Sequence, residues 1–567
     1  MKGWLDRIHR QHIRRQGLNP FGRPRLEGRH RRRSLGFLIG FLLACATLLS
    51  WHPATSAPAS AIASNIAATD ANLIHLLGRT SFGLAPGDLE RVKAMGISAY
   101  LQEQLHPEAI ALPPALSERL AAASIPTVNA VRPGSDAETS DMPTRSTAKS
   151  LRPPGSTLDR ARRVRLLHSI ASPRQLEAVL VDFWFNHFNV FCCGTGGQFR
   201  EKYWLMSYEG DAIRPHVLGR FRDMLGATAH HPAMLFYLDN WQNTAPNSFG
   251  ASNRFSGINE NYARELMELH TLGIEGGYQQ EDVETLAQIL TGWGVVGTPN
   301  SLRRRGSVAQ QAVSNFLGQQ QSERQHSTSA VAADDRWAAF GFEFDYSRHD
   351  SSDKVFLGTA IAGGGMEEGE LALDLLARHP ATARHISYKL AQYFVADDPP
   401  TRLVDALSQH FLATDGDLRA VVETLLDSPE FWAAEYRGRK FKPPYQFVIS
   451  SLRAVGANSG NPFPRTNNGA GVNQALNRMN MPLYGCRIPT GYSNLESDWL
   501  SSDALLARTH FAANLSRPQS RYGYDPASAI ARTVLPQLAA DTAATIASNP
   551  PELQPTLMLG SPEMMYR

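Results

Sequence analysis

Segment 259–273, NENYARELMELHTLG, contains Glu265 and Glu268 three residues apart, and His270 soon after them. The segment predicts a helix, in which each residue is rotated by roughly 100° from the one before. Asn261, Glu265 and Glu268 then share one polar stripe, because they are spaced four and three residues apart. His270 lies roughly 140° from the first glutamate and roughly 160° from the second. An imidazole partner for the two glutamates must therefore come from another element.

Carboxylates that meet an imidazole suit two kinds of chemistry. They can bind a divalent Zn, Mn or Fe ion, or they can transfer protons near neutral pH. His187 and His349 are the histidines that the sequence offers to Glu265 and Glu268. The candidate metal ligands are His187, Glu265 and Glu268, and the implied cofactor is a divalent metal ion of unspecified identity.

Arg264 lies beside these glutamates and has two interpretations. It could orient an anionic group of a substrate at a reactive centre. It could instead pair with Glu260 or Glu268, each four residues away, in a structural ion-pair network. The sequence leaves both interpretations open.

The aromatic segment FWFNHF contains the polar pair Asn186 and His187. A buried polar group without a partner costs about 1–3 kcal/mol, so both side chains need hydrogen bonds if they are buried. His187 is then either a satisfied core histidine or a site residue at a helix end. In the second case, Asn186 could orient an anionic group of a substrate.

His349 and Asp350 follow a predicted strand and enter a loop. An aspartate can orient an imidazole that acts as a base or a metal ligand, although this dipeptide is also common in ordinary turns. By contrast, His231 and His379 each precede a proline and predict helix starts. The candidate catalytic residues are His187, Glu265, Glu268, His349 and Asp350.

Charge is distributed unevenly along the 567 residues. Residues 1–34 contain eleven basic and two acidic residues, which leaves 45 basic and 51 acidic residues in the rest of the chain. A mildly acidic body gives no support for nucleic-acid binding. The glycine patterns of P-loops and dinucleotide sites, and the Gly-x-Ser-x-Gly nucleophile motif, are absent from the sequence.

The basic start continues into an apolar stretch, residues 35–51, and then into small residues at Ala59 and Ala61. This order is typical of a secretory signal peptide that is cleaved after Ala61. The alternative is an uncleaved membrane anchor, but seventeen helical residues reach only about 26 Å. Arg32 and Arg33 resemble a twin-arginine export signal. We therefore expect a periplasmic or secreted protein, which meets a membrane only if the leader is retained.

Helix signals dominate the remaining sequence, with starts expected near Ser172, Gln280, Pro380 and Asp417. Strand signals are few: FGFEFDY alternates, and KVFLG follows it, so the two could form one short hairpin. The predicted fold class is all-α, a predominantly helical body with one short β-hairpin and long loop or disordered insertions.

The expected domains follow from these signals. Residues 1–61 form the signal peptide, residues 62–520 the helical domain and residues 521–567 a C-terminal tail. Two stretches within the helical domain are poor in large apolar residues, a flexible segment at 125–155 and an insertion at 297–335.

Several motifs recur in this chain in the order and spacing of one known family. From about residue 71 to residue 516, the chain resembles the bacterial family named domain of unknown function 1800. The resemblance implies a mainly helical, exported protein with no established biochemical activity. It also implies an exported sulfatase-like protein as a partner, because family members often lie beside genes for one. The motifs include FWFNHFNVF, NENYARELMELHTLGIEGGY, DVETLAQILTGW, HPATARHISYKLAQYFV and KPPYQFVISSLRAVG.

Cysteines mark two departures from the family pattern. FCCGTGG places Cys192 and Cys193 after the Asn–His helix, and Cys486 interrupts a segment that is commonly rich in proline. One added disulfide, from Cys193 or from Cys192 to Cys486, explains both, and Cys193 is the preferred partner. A bond between Cys192 and Cys193 is the alternative. A third departure is HDSSDK, where Ser352 takes the place of a glycine.

Two functional hypotheses follow. The first is an enzyme for metal-assisted hydrolysis or oxidation, in which histidines from other elements reach the acidic stripe. The second is a non-catalytic binding or assembly partner of another exported protein.

Overall fold

Helices account for most of the architecture of the chain, which is known from a computed structural model. The structure describes residues 66–123, 157–192, 201–251, 256–295, 341–464, 466, 469–518 and 525–567. The all-α fold class expected from the sequence is confirmed. The leader, the segment 125–155 and the insertion 297–335 lie outside the described residues.

The helices in the first half of the described chain are α1 Asp70–Thr80, α2 Asp88–Met95, α3 Ile97–Leu105, α4 Pro114–Ala123, α5 Thr157–Ala171, α6 Gln175–His187, α7 Glu201–Ser207, α8 Phe221–Ala229, α9 Pro232–Tyr237, α10 Asn261–Glu265 and α11 Gln280–Ile289. Two short π-helices, Tyr208–Ile213 and Leu266–His270, directly continue α7 and α10.

The helices in the second half are α12 Met366–Arg378, α13 Pro380–Phe394, α14 Thr401–Ala413, α15 Leu418–Asp427, α16 Pro429–Trp432, α17 Pro444–Ala454, α18 Ala470–Arg478, α19 Glu496–Trp499, α20 Ser502–Ser516, α21 Ala527–Val534, α22 Ala540–Ala547, α23 Gln554–Leu559 and α24 Pro562–Met565. No helix in the described ranges combines the length and the apolar character that a membrane span requires.

Local capping chemistry sets several helix starts. Asp417, His231 and His379 each accept a hydrogen bond from a backbone N–H two or three residues later. The predicted starts at Asp417 and at the two histidine–proline steps are therefore confirmed. The helix expected from Ser172 begins at Gln175 instead, and the Ser172 hydroxyl accepts a backbone N–H in the preceding turn.

Strand pairing differs from the single hairpin that the sequence suggested. Strand β1 (Trp293–Val295) pairs antiparallel with β2 (Phe342–Phe344), and β3 (Lys354–Phe356) pairs antiparallel with β4 (Thr359–Ile361). The FGFEFDY strand thus pairs with a strand far earlier in the chain rather than with KVFLG. Sequence alternation identifies a strand but not its partner, which explains the error.

Two helices are buried along their whole length at the centre of the fold. All of α17 is buried, and in α6 only Asn186 is more than slightly exposed. A helix that carries apolar residues on all sides is stable only inside a protein core. The sequence LEAVLVDFWF meets that condition, because Glu177 and Asp182 are its only charged residues and both are paired. Helix α6 carries Asn186 and His187 at its C-terminal end, so the core itself positions these two residues.

A buried ion-pair network fixes α6 against its neighbours. Arg165 on α5 donates to Asp182 on α6 at 2.6 Å and to Glu209 on the first π-helix at 3.1 Å. The guanidinium also lies over the ring of Phe185, 4.8 Å from its centroid. Removing one partner from such a buried network typically costs about 3–5 kcal/mol, so these charges hold the three helices together.

Residues 525–567, which the sequence analysis assigned to a C-terminal tail, form helices that pack against the body. Helix α21 contacts α17, and α23 contacts α20. Ile530 and Leu559 are fully buried in the same apolar core as the other helices. These residues are therefore part of the helical body.

Candidate functional site

The predicted acidic stripe lies where α10 changes into the second π-helix. Glu265 ends the α-helix, and Glu268 lies inside the π-helix Leu266–His270. The segment therefore forms two kinds of helix rather than the one α-helix expected from its sequence. Glu265 is half-buried and makes no hydrogen bond or ion pair with any described residue. Burial, together with the nearby charge of Glu268, raises the pKa of Glu265 to about 7.

Two tyrosines adjoin the acidic stripe. Burial, followed by the charge of Glu268, raises the pKa of Tyr278 to about 12. The pKa of Tyr237 is also raised, first by burial and then by Cys486 and Glu265. Tyr278 is thus coupled electrostatically to both carboxylates, and Tyr237 to Glu265.

A further carboxyl in this region was not singled out from the sequence. Glu201, at the start of α7, is buried, and its Oε2 atom has no hydrogen-bond partner in the described chain. Burial raises its pKa to about 7, with a smaller contribution from Asp239. No local signal marks Glu201, because its neighbours come from other parts of the chain.

Arg264 forms the structural network that the sequence left as an alternative. Its guanidinium donates to Glu260 at 2.8 Å and to Gln280 at 2.9 Å, at a partly exposed position. The predicted substrate-orienting role has no support from this geometry, because the guanidinium is already paired with these two side chains.

Asn186 holds a distant loop instead of facing a substrate. Its side-chain oxygen accepts from the backbone N–H of Tyr492 at 2.7 Å, and its amide nitrogen donates to the carbonyl of the same residue at 2.7 Å. Asn189 donates to the carbonyls of Cys486 and Ile488 in the same loop. The geometry gives no support to the expected orienting role of Asn186, because both polar atoms of its side chain bind the backbone.

His187 lies in a buried group of histidines rather than against the acidic stripe. Its ring centroid is 6.0 Å from that of His270 and 6.2 Å from that of His385. Its Nε2 donates to the carbonyl of His270 at 3.1 Å, while His385 donates through Nε2 to the carbonyl of Leu269 at 3.2 Å. The two rings thus cap carbonyls at the end of the π-helix.

Lys389 completes this group, and the sequence analysis did not single it out. It lies one turn after His385 on α13, and its charge lowers the pKa values of His187, His270 and His385 further than burial already does. Burial lowers the pKa of Lys389 itself to about 8. The i, i+4 spacing in HISYK was the available signal, since it places both residues on one helix face.

His349 contacts Thr291 and Glu368 rather than the group of histidines around His187. Its Nδ1 donates to the carbonyl of Thr291 at 2.9 Å, and its Nε2 lies 3.2 Å from Glu368. The second oxygen of Glu368 accepts from Lys354 at 2.9 Å. Although burial alone would raise it, hydrogen bonds from His349 and Lys354 hold the pKa of Glu368 below its ordinary value. This is a satisfied structural triad, so the prediction that His349 is catalytic receives no support.

Asp350 closes a turn next to this triad. Its backbone N–H donates to the hydroxyl of Thr291 at 2.9 Å, while its carboxylate accepts from the backbone and the hydroxyl of Ser352. Ser352, at the position of the family's glycine, therefore closes the turn with its own side chain. Asp350 makes no contact here that would orient the ring of His349.

The predicted metal ligands and disulfide also differ from the structure. No three His, Cys, Asp or Glu side chains in the described ranges are arranged to hold a metal ion, so His187, Glu265 and Glu268 do not surround one ion. Cys486 is a free, buried cysteine, so the expected Cys193–Cys486 disulfide is wrong. Cys193 itself lies outside the described residues.

Comparison with known proteins identifies a family and nothing finer. A family model described as a protein of unknown function (DUF1800) matches residues 75–566. No curated protein and no solved structure matches the chain. The family match extends about fifty residues beyond the resemblance read from the motifs, and it includes the C-terminal helices. Since the match covers most of the sequence, the protein belongs to the DUF1800 family.

Proposed function

We propose that this protein is an exported hydrolase that cleaves glycosidic or ester C–O bonds by acid–base catalysis at Glu265 and Glu268. The supporting observation is the half-buried carboxyl of Glu265, which has no hydrogen-bond or ion-pair partner among the described residues and lies beside a second carboxyl group. With a pKa of about 7 it is protonated in a large fraction of molecules at neutral pH. A general acid needs that property.

The two carboxyl groups have complementary roles in this proposal. Glu265 gives its proton to the leaving oxygen as the C–O bond breaks, and Glu268 takes a proton from the attacking water. Paired carboxyl groups divide the work in this way in many glycosidases. The histidines expected from the sequence have no part in it, because His187 and His349 are bound elsewhere.

Location and partner are proposed on other grounds. The basic and apolar leader supports export to the cell envelope, and the family resemblance supports an exported sulfatase-like protein as a partner. Both were expectations from the sequence, and neither depends on the acidic stripe.

The test is hydrolysis of a panel of nitrophenyl glycosides and esters by the full chain from pH 5 to pH 9. Activity should fall as the pH rises above about 7, because Glu265 then loses the proton that it must donate. Glu265→Gln should lower kcat/KM by about 100-fold or more, which is the usual contribution of a general acid.

Glu275→Gln is the matched control, since Glu275 is exposed on the turn that follows the π-helix. It should keep the wild-type rate. Wild-type activity in Glu265→Gln, or no hydrolysis of any glycoside or ester in the panel, would contradict the proposal.

A further inference from the structure

Three histidines and one lysine from three elements converge at the C-terminal end of the second π-helix. The histidine–lysine cluster consists of His187 at the end of α6, His270 at the end of the π-helix, and His385 and Lys389 on α13. His187 and His270 are 2% and 1% exposed. Lys389 is partly exposed.

The amino group of Lys389 has no counter-ion in the cluster. Within the described chain, no carboxylate pairs with it and no hydrogen bond is made to it, and the nearest titratable groups that it influences are the three imidazoles. The lysines that are buried in the core differ from Lys389. Lys354 pairs with Glu368, and Lys442 donates to Ser450 and to the carbonyl of Met564.

Two buried ring nitrogens in the cluster also have no partner. Because His187 donates through Nε2 to a carbonyl, Nδ1 of its neutral ring carries a lone pair, and this atom has no hydrogen bond. Nε2 of His270 is likewise buried without a partner. Buried polar groups are rarely left unpaired, so these two nitrogens are free to bond to a small molecule.

The charges and lone pairs select the chemistry of that occupant. A divalent cation is disfavoured by the neighbouring ammonium group, and the described histidines are not arranged as a ligand set. An anion is also disfavoured, because the lone pair on Nδ1 of His187 would repel it. A neutral carbonyl compound fits best, because an unpaired amine can attack its carbon while neutral imidazoles accept and return protons.

We propose that Lys389 is a nucleophile that forms an imine with a small aldehyde or ketone, with His270 and His187 transferring the protons. The neutral amine nitrogen bonds to the carbonyl carbon, and its two protons pass in turn through an imidazole to the oxygen, the first of them forming a hydroxyl group. That oxygen leaves as water when the C=N bond forms. No oxidant or reductant takes part, and the burial of Lys389 supplies the neutral amine that the attack requires.

The test traps the imine in the unmodified full chain. The protein is incubated with propanal and sodium cyanoborohydride at pH 7.5, and peptide mass spectrometry follows the alkylation of each lysine. Lys389 should be labelled at least ten times faster than Lys93, which is exposed and paired with Asp70. Lys442 should stay unlabelled, because its nitrogen is already hydrogen-bonded and has no imidazole beside it.

His270→Phe separates a reactive cluster from a lysine that is only accessible. This change removes an unpartnered nitrogen and keeps a ring against Phe188, 5.1 Å away in the wild type. It should slow the labelling of Lys389 several-fold without changing that of Lys93. Labelling of Lys389 no faster than that of Lys93 in the wild type would overturn the proposal, and so would full-rate labelling of Lys389 in His270→Phe.

Discussion

The polar residues of this protein divide according to whether the fold has already used their hydrogen-bonding groups. Asn186, His349 and Asp350 looked chemically promising in the sequence, but each is bound by backbone or by a structural partner. Glu265 and Lys389 have no such partners among the described residues and carry shifted pKa values. Groups that a fold leaves unsatisfied reduce stability, so their presence favours a functional reason.

Glu265 should make stability depend on pH. Its pKa is about 7 in the folded protein against 4.5 ordinarily, so the folded state holds a proton that the unfolded chain has released. The stabilisation from this proton is complete below pH 4.5 and is lost as the pH rises through 7. Glu265→Gln should therefore gain up to about 3 kcal/mol over the wild type between pH 5 and pH 8. Urea unfolding at both pH values measures this difference.

The matched variant Glu275→Gln should show the wild-type dependence on pH. If Glu265→Gln and the wild type lose stability in parallel between pH 5 and pH 8, the raised pKa of Glu265 is wrong.

At the scale of elements, hydrogen bonds join the end of α6 to the loop from Tyr484 to Tyr492. Asn186 binds the backbone of Tyr492, and the carbonyl of Tyr484 accepts from the backbone N–H of Cys192. Gly491 allows this close approach, because a Cβ atom there would lie 2.2 Å from the carbonyl oxygen of Asn186. The loop thus closes over the helix end that carries His187.

Gly491→Ala should open this contact. It combines a positive φ of 73° with a backbone clash, so we expect a loss of about 2–4 kcal/mol in the free energy of unfolding. Gly87→Ala is the control, since Gly87 has a φ of 93° but open space around its Cβ position. It should cost only about 1–2 kcal/mol. Equal losses for the two variants, measured by chemical denaturation, would show that the contact with Asn186 is unimportant.

At the scale of the whole molecule, strands β1 and β2 pair with each other although a long stretch of sequence separates them. Val295 is the cross-strand partner of Phe342, so the two residues that flank segment 296–341 lie side by side. Trp293 and Val295 are buried, which anchors this pair in the core. The parts of the fold before and after segment 296–341 are therefore held together by strands β1 and β2.

Replacing residues 296–341 with Asn-Gly should leave the helical body folded. A two-residue Asn-Gly turn suits an antiparallel hairpin, and the shorter connection lowers the entropy cost of closure by roughly 2–3 kcal/mol. We expect an unchanged or higher free energy of unfolding, with wild-type circular dichroism. A replacement of 296–341 by a flexible linker of equal length is the control. A loss of stability in both variants would show that the native segment contributes contacts to the body.

Interactions between near neighbours were predictable from the sequence. The all-α class and the starts at Asp417, His231 and His379 follow from periodicity and from side chains that bond backbone groups two or three residues away. The stripe formed by Glu265 and Glu268 was found for the same reason. Here the information is local, so one chain segment contains all of it.

Only the tertiary structure decided which of these residues keep their reactivity. Asn186 and Tyr492, which bond to each other, are 306 residues apart, and His187 and His270 are 83 residues apart. The hydrogen-bond partners of a buried group, and the burial that shifts a pKa, depend on segments that meet only after folding. For that reason the sequence predicted the acidic stripe but paired it with histidines that bind elsewhere in the fold. The spacing of His385 and Lys389 placed one imidazole near the lysine, but it did not indicate that His187 and His270 join them.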